Sequence, residues 1–287
     1  MRVYISVDLE GINGICHSSQ TQPGEPGYAR ALELMHAETN AVIRGAKAGG
    51  ATEIVVNDSH WDARNLKHEL LEPGTTVITG WQKPFSMVSG VSGKVGDTAL
   101  TGGKFDVAFF VGYHAMAGKA CAVLSHTYRA QVFLDVKLNG QSVGETGLNA
   151  ALAGHFGVPI GLVTGDDAAC AEATALLGPV ECVAVKKAIS RYAAIFRPQQ
   201  EALNDLEAAA MRVLKNKEKW KYFKPLQPSS LMITTIDPAM ADAAELLPSV
   251  RRIDDRQVEV SHDDYSVVFR LMLAIGALGA SRRDPYF

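Results

Sequence analysis

Arg2-Val3-Tyr4-Ile5-Ser6-Val7-Asp8-Leu9-Glu10-Gly11 is the stretch on which the fold reading turns. Its β-branched and aromatic residues from Arg2 to Val7 suit a pleated, packed surface and predict a strand. Working outward, Tyr28 to Ala48 carries Ala31, Leu34, Met35, Val42 and Ala46 at helical spacing. Glu38 is the one interruption of that stripe, and Gly49-Gly50 closes the segment as a glycine C-cap. Glu53 to Val56, Phe105 to Val111 and Pro159 to Val163 read as further strands, and Ser142 to Phe156 and Asp167 to Leu177 as helices. Strand and helix alternating in this way predict an α/β fold with a parallel sheet buried on both faces, a Rossmann-like domain over residues 1–190. Val132 to Leu138, followed by Asn139-Gly140, reads as a hairpin arm with a primed turn.

After about Val185 the pattern changes. A long amphipathic helix, Pro198 to Asn216, leads through Trp220, Tyr222 and Phe223 to the punctuation of Pro225 and Pro228. A strand (Leu231 to Thr235), a helix (Pro238 to Leu246), a strand (Gln257 to Ser261) and a closing helix (Asp264 to Leu278) follow. These predict a smaller α+β domain over residues 191–287.

Composition narrows the function classes. A chain of 287 residues with 47% hydrophobic and 21% charged residues is that of an ordinary globular enzyme, and a net charge of -3 gives no footprint for nucleic acid or an anionic membrane. The most apolar run, Val267 to Ala280, is broken by Arg270 and is too short to span a bilayer. Asp8 and Glu10 fall where the apolar core of a secretory signal would be, so a cytoplasmic protein is expected. The four cysteines form no CxxC pair. Cys121 and Cys182 read as small core residues, and Cys16 as either a bystander thiol or a ligand or nucleophile near Asp8.

Ligands of an open parallel sheet bind at the carboxyl ends of its strands. The first strand runs into Asp8 and Glu10, which a period of two points to the same face. The second runs into Asn57-Asp58-Ser59-His60, and the Phe105 strand into Gly112-Tyr113-His114. Glu145, at a helix start, adds a third carboxylate. Mixed imidazole and carboxylate donors suit zinc, manganese or nickel. Five donors with one bridging carboxylate are enough for two ions roughly 3.5–4 Å apart, with Asp8, short and central, as the natural bridge. Asp58 and Ser59 read as supports for His60. His126, after another apolar stretch, reads either as a catalytic group or as a hydrogen-bonded structural histidine. Asp166-Asp167 reads as a helix cap or, alternatively, as a metal pair. The glycine-rich stretch from Gly90 to Gly103 has no nucleotide-binding pattern, and no GxSxG elbow is present.

Five motifs, Ser6-Val7-Asp8-Leu9-Glu10-Gly11, Val56-Asn57-Asp58-Ser59-His60, Gly112-Tyr113-His114-Ala115, Leu124-Ser125-His126 and Val143-Gly144-Glu145-Thr146-Gly147-Leu148-Asn149-Ala150, resemble in order and spacing those of the zinc-dependent D-aminopeptidases. Lys83-Pro84-Phe85-Ser86-Met87 and Gly165-Asp166-Asp167 extend the resemblance, which covers essentially the whole chain and thins after about residue 195. The resemblance implies zinc ligands at Asp8, Glu10, His60, His114 and Glu145, two Zn2+ per subunit with Asp8 bridging, and a catalytic role for His126. It implies removal of an N-terminal D-amino acid from short peptides, by a water whose pKa two zinc ions would lower toward ~7, and a homo-oligomer, with a decameric ring as its expected form. Two other classes fit the same residues: a dinuclear hydrolase of another amide or a phosphoester, and a non-enzymatic peptide-binding protein of a transport system.

Overall fold

The computed structural model describes residues 1–100 and 102–281. In chain order its strands are β1 (Arg2–Val7), β2 (Glu53–Asp58), β3 (Thr75–Ile78), β4 (Lys94–Val95), β5 (Thr98–Ala99), β6 (Val107–Tyr113), β7 (Phe133–Leu138), β8 (Gln141–Ser142), β9 (Ile160–Asp166), β10 (Glu181–Ser190), β11 (Ala193–Phe196), β12 (Ser229–Thr235), β13 (Arg251–Arg252) and β14 (Gln257–His262). The α-helices are α1 (Tyr28–Ala48), α2 (Glu145–His155), α3 (Asp167–Leu177), α4 (Gln199–Lys215), α5 (Pro238–Ala244) and α6 (Tyr265–Ala280).

β1 lies inside a seven-stranded sheet ordered β11-β10-β9-β6-β1-β2-β3, parallel except for the antiparallel β10–β11 edge. Its alternation explains why it can sit there. Val3, Ile5 and Val7 pack toward α1 and α4, whereas Tyr4 packs with Phe105, Phe110 and Tyr113 on the opposite side, and all seven are buried. That opposite side is covered by a five-stranded antiparallel sheet, ordered β13-β14-β12-β7-β8, with α2 and α6. The fold is therefore α/β, with a Rossmann-like parallel sheet beside a smaller α+β layer.

Element boundaries moved where local sequence and tertiary pairing compete. β2 continues to Asp58 and β6 to Tyr113, because both pair onward with their neighbours. α2 starts at Glu145, not Ser142, since Gln141 and Ser142 close the β7–β8 hairpin. Asn139 and Gly140 form the primed turn there, with φ of 49° and 87°. β3, β10 and β11 were not expected. The two sheets also do not divide the chain at residue 190. β7 and β8 belong to the second sheet, while β11 joins the first and α4 packs on α1 beneath it. Cys121, expected in the core, is exposed, and Cys182 is half-buried.

Candidate metal centre

Three parallel strands end side by side. Val7 of β1 is in register with Asp58 of β2 and Val111 of β6, so the residues after each strand emerge at one sheet edge. The backbone stitches these ends together: Asp8 N donates to Val111 O (2.8 Å), Ser59 N to Val7 O (2.9 Å) and Gly11 N to Gly112 O (2.8 Å). Gly112 has φ +70°, and a Cβ there would stand 2.3 Å from the Asp8 carbonyl oxygen, so the approach requires glycine. Glu145, the first residue of α2, comes in from the neighbouring layer. The structure thus brings together Asp8, Glu10, His60, His114 and Glu145, all buried.

Each imidazole is aimed by one bond to the backbone. His60 Nε2 donates to the Thr21 carbonyl (2.7 Å), which turns Nδ1 on Asp8 Oδ1 (3.2 Å) and Glu10 Oε2 (2.9 Å). His114 Nδ1 donates to the Ala115 carbonyl (3.0 Å), leaving Nε2 to face Asp8 Oδ2 (3.5 Å) and Glu145 Oε2 (3.4 Å). His126 Nδ1 donates to the Leu124 carbonyl (2.8 Å), with Nε2 3.6 Å from Glu145 Oε1. The His114 and His126 rings stack with centroids 4.1 Å apart. A histidine whose one ring N–H is held by a carbonyl presents the other nitrogen in a fixed direction, the usual arrangement of a metal ligand.

The cluster is short of a cation. Asp8 Oδ2, Glu10 Oε2 and His114 Nε2 are buried and make no hydrogen bond of normal geometry among the described residues, although Glu10 Oε2 lies within reach of His60. Burial, then the Glu10 charge, pushes Asp8 up to about 7. Burial also acts to raise Glu10, but the adjacent His60 outweighs it and holds Glu10 well below the usual carboxylate range. Burial acts to lower His60 and His114, yet the carboxylates facing them win: Glu10 and Asp8 raise His60 well above its ordinary value, and Glu145 and Asp8 bring His114 to about 10. Protons are thus held on the imidazoles where a divalent cation would compete for the same lone pairs. Two donor groups lie within 4.8 Å of mutual reach, Asp8/Glu10/His114 and His114/His126/Glu145. Carboxylate oxygens and imidazole nitrogens in this number fit zinc.

The surrounding residues divide into supports and bystanders. Asp58 accepts from Asn65 N (2.6 Å) and Leu66 N (2.7 Å), fixing the loop that follows His60. Ser59 Oγ joins Ser6 Oγ (2.7 Å) and the Asn57 amide (2.9 Å). Asp166 caps α3 through Ala169 N (2.7 Å) and also accepts from Val123 N (2.7 Å), tying the His126 segment to β9. Cys16 is free and stands in neither donor group.

One support escaped the sequence reading. Lys186, fully buried in β10, donates through Nζ to the carbonyls of Glu10 (2.5 Å), Ile12 (2.8 Å) and Ile15 (2.7 Å), gathering the turn that carries Glu10. Burial lowers its pKa to about 8. The signal was a lysine within Glu181-Cys182-Val183-Ala184-Val185-Lys186, but without β10 recognised as a strand it had no face to break. Glu38, the odd residue on the α1 stripe, accepts from Asn13 N in the same turn (2.8 Å).

The family model for D-aminopeptidases matches residues 1–274. The chain belongs to the D-aminopeptidase family. A D-aminopeptidase of Bacillus subtilis is 36% identical over 279 residues, 97% of each chain. The solved structure of the zinc-dependent D-aminopeptidase DppA from Bacillus subtilis, described as a self-compartmentalizing protease, superposes with a TM-score of 0.92 at 34% identity, covering 99% of both chains. In this member of the family Asp8, Glu10, His60, His126 and Glu145 line a cleft of about 410 Å³, whose walls include Trp61, Trp81, Tyr128 and Tyr192. Such a volume suits a small ligand. No helix among the described residues is long and apolar enough to cross a membrane.

Proposed function

We propose that the chain is a dinuclear zinc aminopeptidase that removes the N-terminal D-amino acid from short peptides, with Asp8, Glu10, His60, His114 and Glu145 as the ligands. The observation that carries this reading is the set of three buried carboxylates faced by imidazoles whose other nitrogens are committed to backbone carbonyls. Asp8 is the bridge in this reading, since Oδ1 faces His60 and Oδ2 faces His114. Glu10 and His60 would hold zinc on the Oδ1 side of Asp8, and His114 and Glu145 on the Oδ2 side. When bound, zinc supplies Lewis acidity for the scissile carbonyl and makes a water nucleophilic near neutral pH.

The chain's own groups do the rest. Burial, then the neighbouring His114, holds His126 below its ordinary pKa, which favours the neutral ring. With Nδ1–H on the Leu124 carbonyl, its Nε2 is free to take a proton during attack and return it to the leaving amine. Tyr128 N donates to Glu145 Oε1 (2.7 Å), which fixes the carboxylate that His126 also faces. Asp8, Glu10, His60, His114 and Glu145 are themselves buried, which limits their contact with bulk water.

By its likeness to the self-compartmentalizing relative, the chain is proposed to act as a homo-oligomer, with a decameric ring as the specific form. Four free cysteines fit a reducing compartment such as the cytoplasm. The deciding experiment is a zinc-reconstituted assay on paired D- and L-aminoacyl dipeptides. Hydrolysis of the D-form, abolished by EDTA and restored by zinc, is expected. Absence of chelator-sensitive peptide hydrolysis would overturn the reading.

A further inference from the structure

The cleft that holds the donor cluster also carries two arginines. Besides its histidines, the cations among its lining residues are Arg129 and Arg191, neither of which has an acidic partner among the described residues. Asp62, the one other acidic residue of the lining, is already paired with Arg64.

Both side chains are exposed to the cleft and keep guanidinium donors to spare. Arg129 lies over the Trp81 ring, 5.6 Å from its centroid, and its guanidinium makes no hydrogen bond among the described residues. Arg191 sits in the turn between β10 and β11, where Nη1 donates to the Ser125 carbonyl and Nε to Tyr192 Oη (3.2 Å). Its Nη2 makes no hydrogen bond among the described residues. Both arginines are also tied to the metal end by the chain itself. Ser125 immediately precedes His126, and Tyr128, whose amide holds Glu145, immediately precedes Arg129. A stacked or tethered guanidinium with an open edge is the group best suited to receive a carboxylate, because its planar donors match both oxygens.

We propose that Arg129 and Arg191 form a carboxylate subsite, so that the cleft recognises its peptide by a free C-terminus. The inference rests on the peptide-hydrolase reading above. The scissile end of the peptide lies at the metal donors, and the two arginines receive its terminal carboxylate. A blocked C-terminus leaves the arginines without a partner and weakens binding.

The test compares D-alanyl-glycine with its C-terminal amide, in the zinc-loaded wild type and in Arg129→Met, Arg191→Met, Arg191→Lys and the double methionine variant. One charge-assisted contact predicts a wild-type preference for the free acid of about tenfold or more in kcat/KM, carried by KM. In the double variant the acid-to-amide ratio falls toward one, and Arg191→Lys keeps part of the preference. General damage, for example through Ser125 to His126, lowers both substrates alike and leaves the ratio unchanged. An equal rate on acid and amide in the wild type, or an undiminished ratio in the double variant, overturns the subsite while leaving peptide hydrolysis intact. Failure of the zinc-loaded chain to cleave either form removes the hydrolase reading itself.

Discussion

At the residue scale, the separation of His126 from the five proposed ligands can be measured. His126→Ala is expected to keep two zinc ions per chain by elemental analysis while kcat falls by about 10²–10⁴-fold. A drop to one zinc would instead make His126 a ligand, as its membership of the His114/Glu145 donor group allows. Glu38 gives a pH prediction at a group that is not itself a metal donor. Burial, only partly offset by its bond from Asn13 N, raises its pKa to about 7 from 4.5. The folded state therefore binds this proton more tightly than the unfolded chain. Its contribution is fully present below pH 4.5 and is lost as pH rises through 7. Glu38→Gln lacks that loss, so the variant should gain on wild type by up to about 3 kcal/mol between pH 4.5 and pH 8 in denaturant titrations. A pH-independent difference would show that Glu38 ionises normally.

At the element scale, two contacts set where the sheet edge stands. α1 and α4 approach so closely at Gly45 that a Cβ there would lie 2.1 Å from the Glu207 carbonyl oxygen. A backbone atom cannot rotate away, so Gly45→Ala must push α4 off α1. A cost of about 1–3 kcal/mol, read as a lowered Tm, is expected. β10 matters through Lys186, which holds the turn of Glu10 by three carbonyls. Lys186→Met should fold with an unchanged far-ultraviolet spectrum but bind zinc about 10–100-fold more weakly in chelator competition, because Glu10 is no longer fixed. Unaltered zinc affinity would reduce Lys186 to a packing residue.

At the scale of the whole molecule, the parallel sheet and the antiparallel layer share one continuous core, with Tyr4 and Phe110 of the first packed in the cluster that holds Ile233 and Phe269 of the second. Glu145 reaches the donor cluster only because the β7–β8 hairpin and α2 are seated in that shared layer. For the assembly, sedimentation velocity should find a single species many times the mass of one chain, with a ratio of ten for the proposed ring. A monomer at all concentrations would end that proposal and leave the chemistry of the site untouched.

The sequence by itself determined the strand-helix alternation, the primed turn at Asn139-Gly140 and the donors that follow β1, β2 and β6. Each of these is written locally, as a periodicity, a turn chemistry or a polar residue interrupting an apolar run. What only the tertiary structure decided was everything set by pairing between distant segments. The edge strands β3 and β11, and β10 beside β11, carry weak local signals and exist because neighbours in the sheet supply their hydrogen bonds. The clamp of Lys186 on a turn some 170 residues earlier, the bond from Tyr128 to Glu145 and the backbone carbonyls that aim His60, His114 and His126 leave no trace in spacing. The donor types could be read from the chain, but their directions could not, because a side chain is aimed by whichever distant backbone group accepts its remaining hydrogen bond.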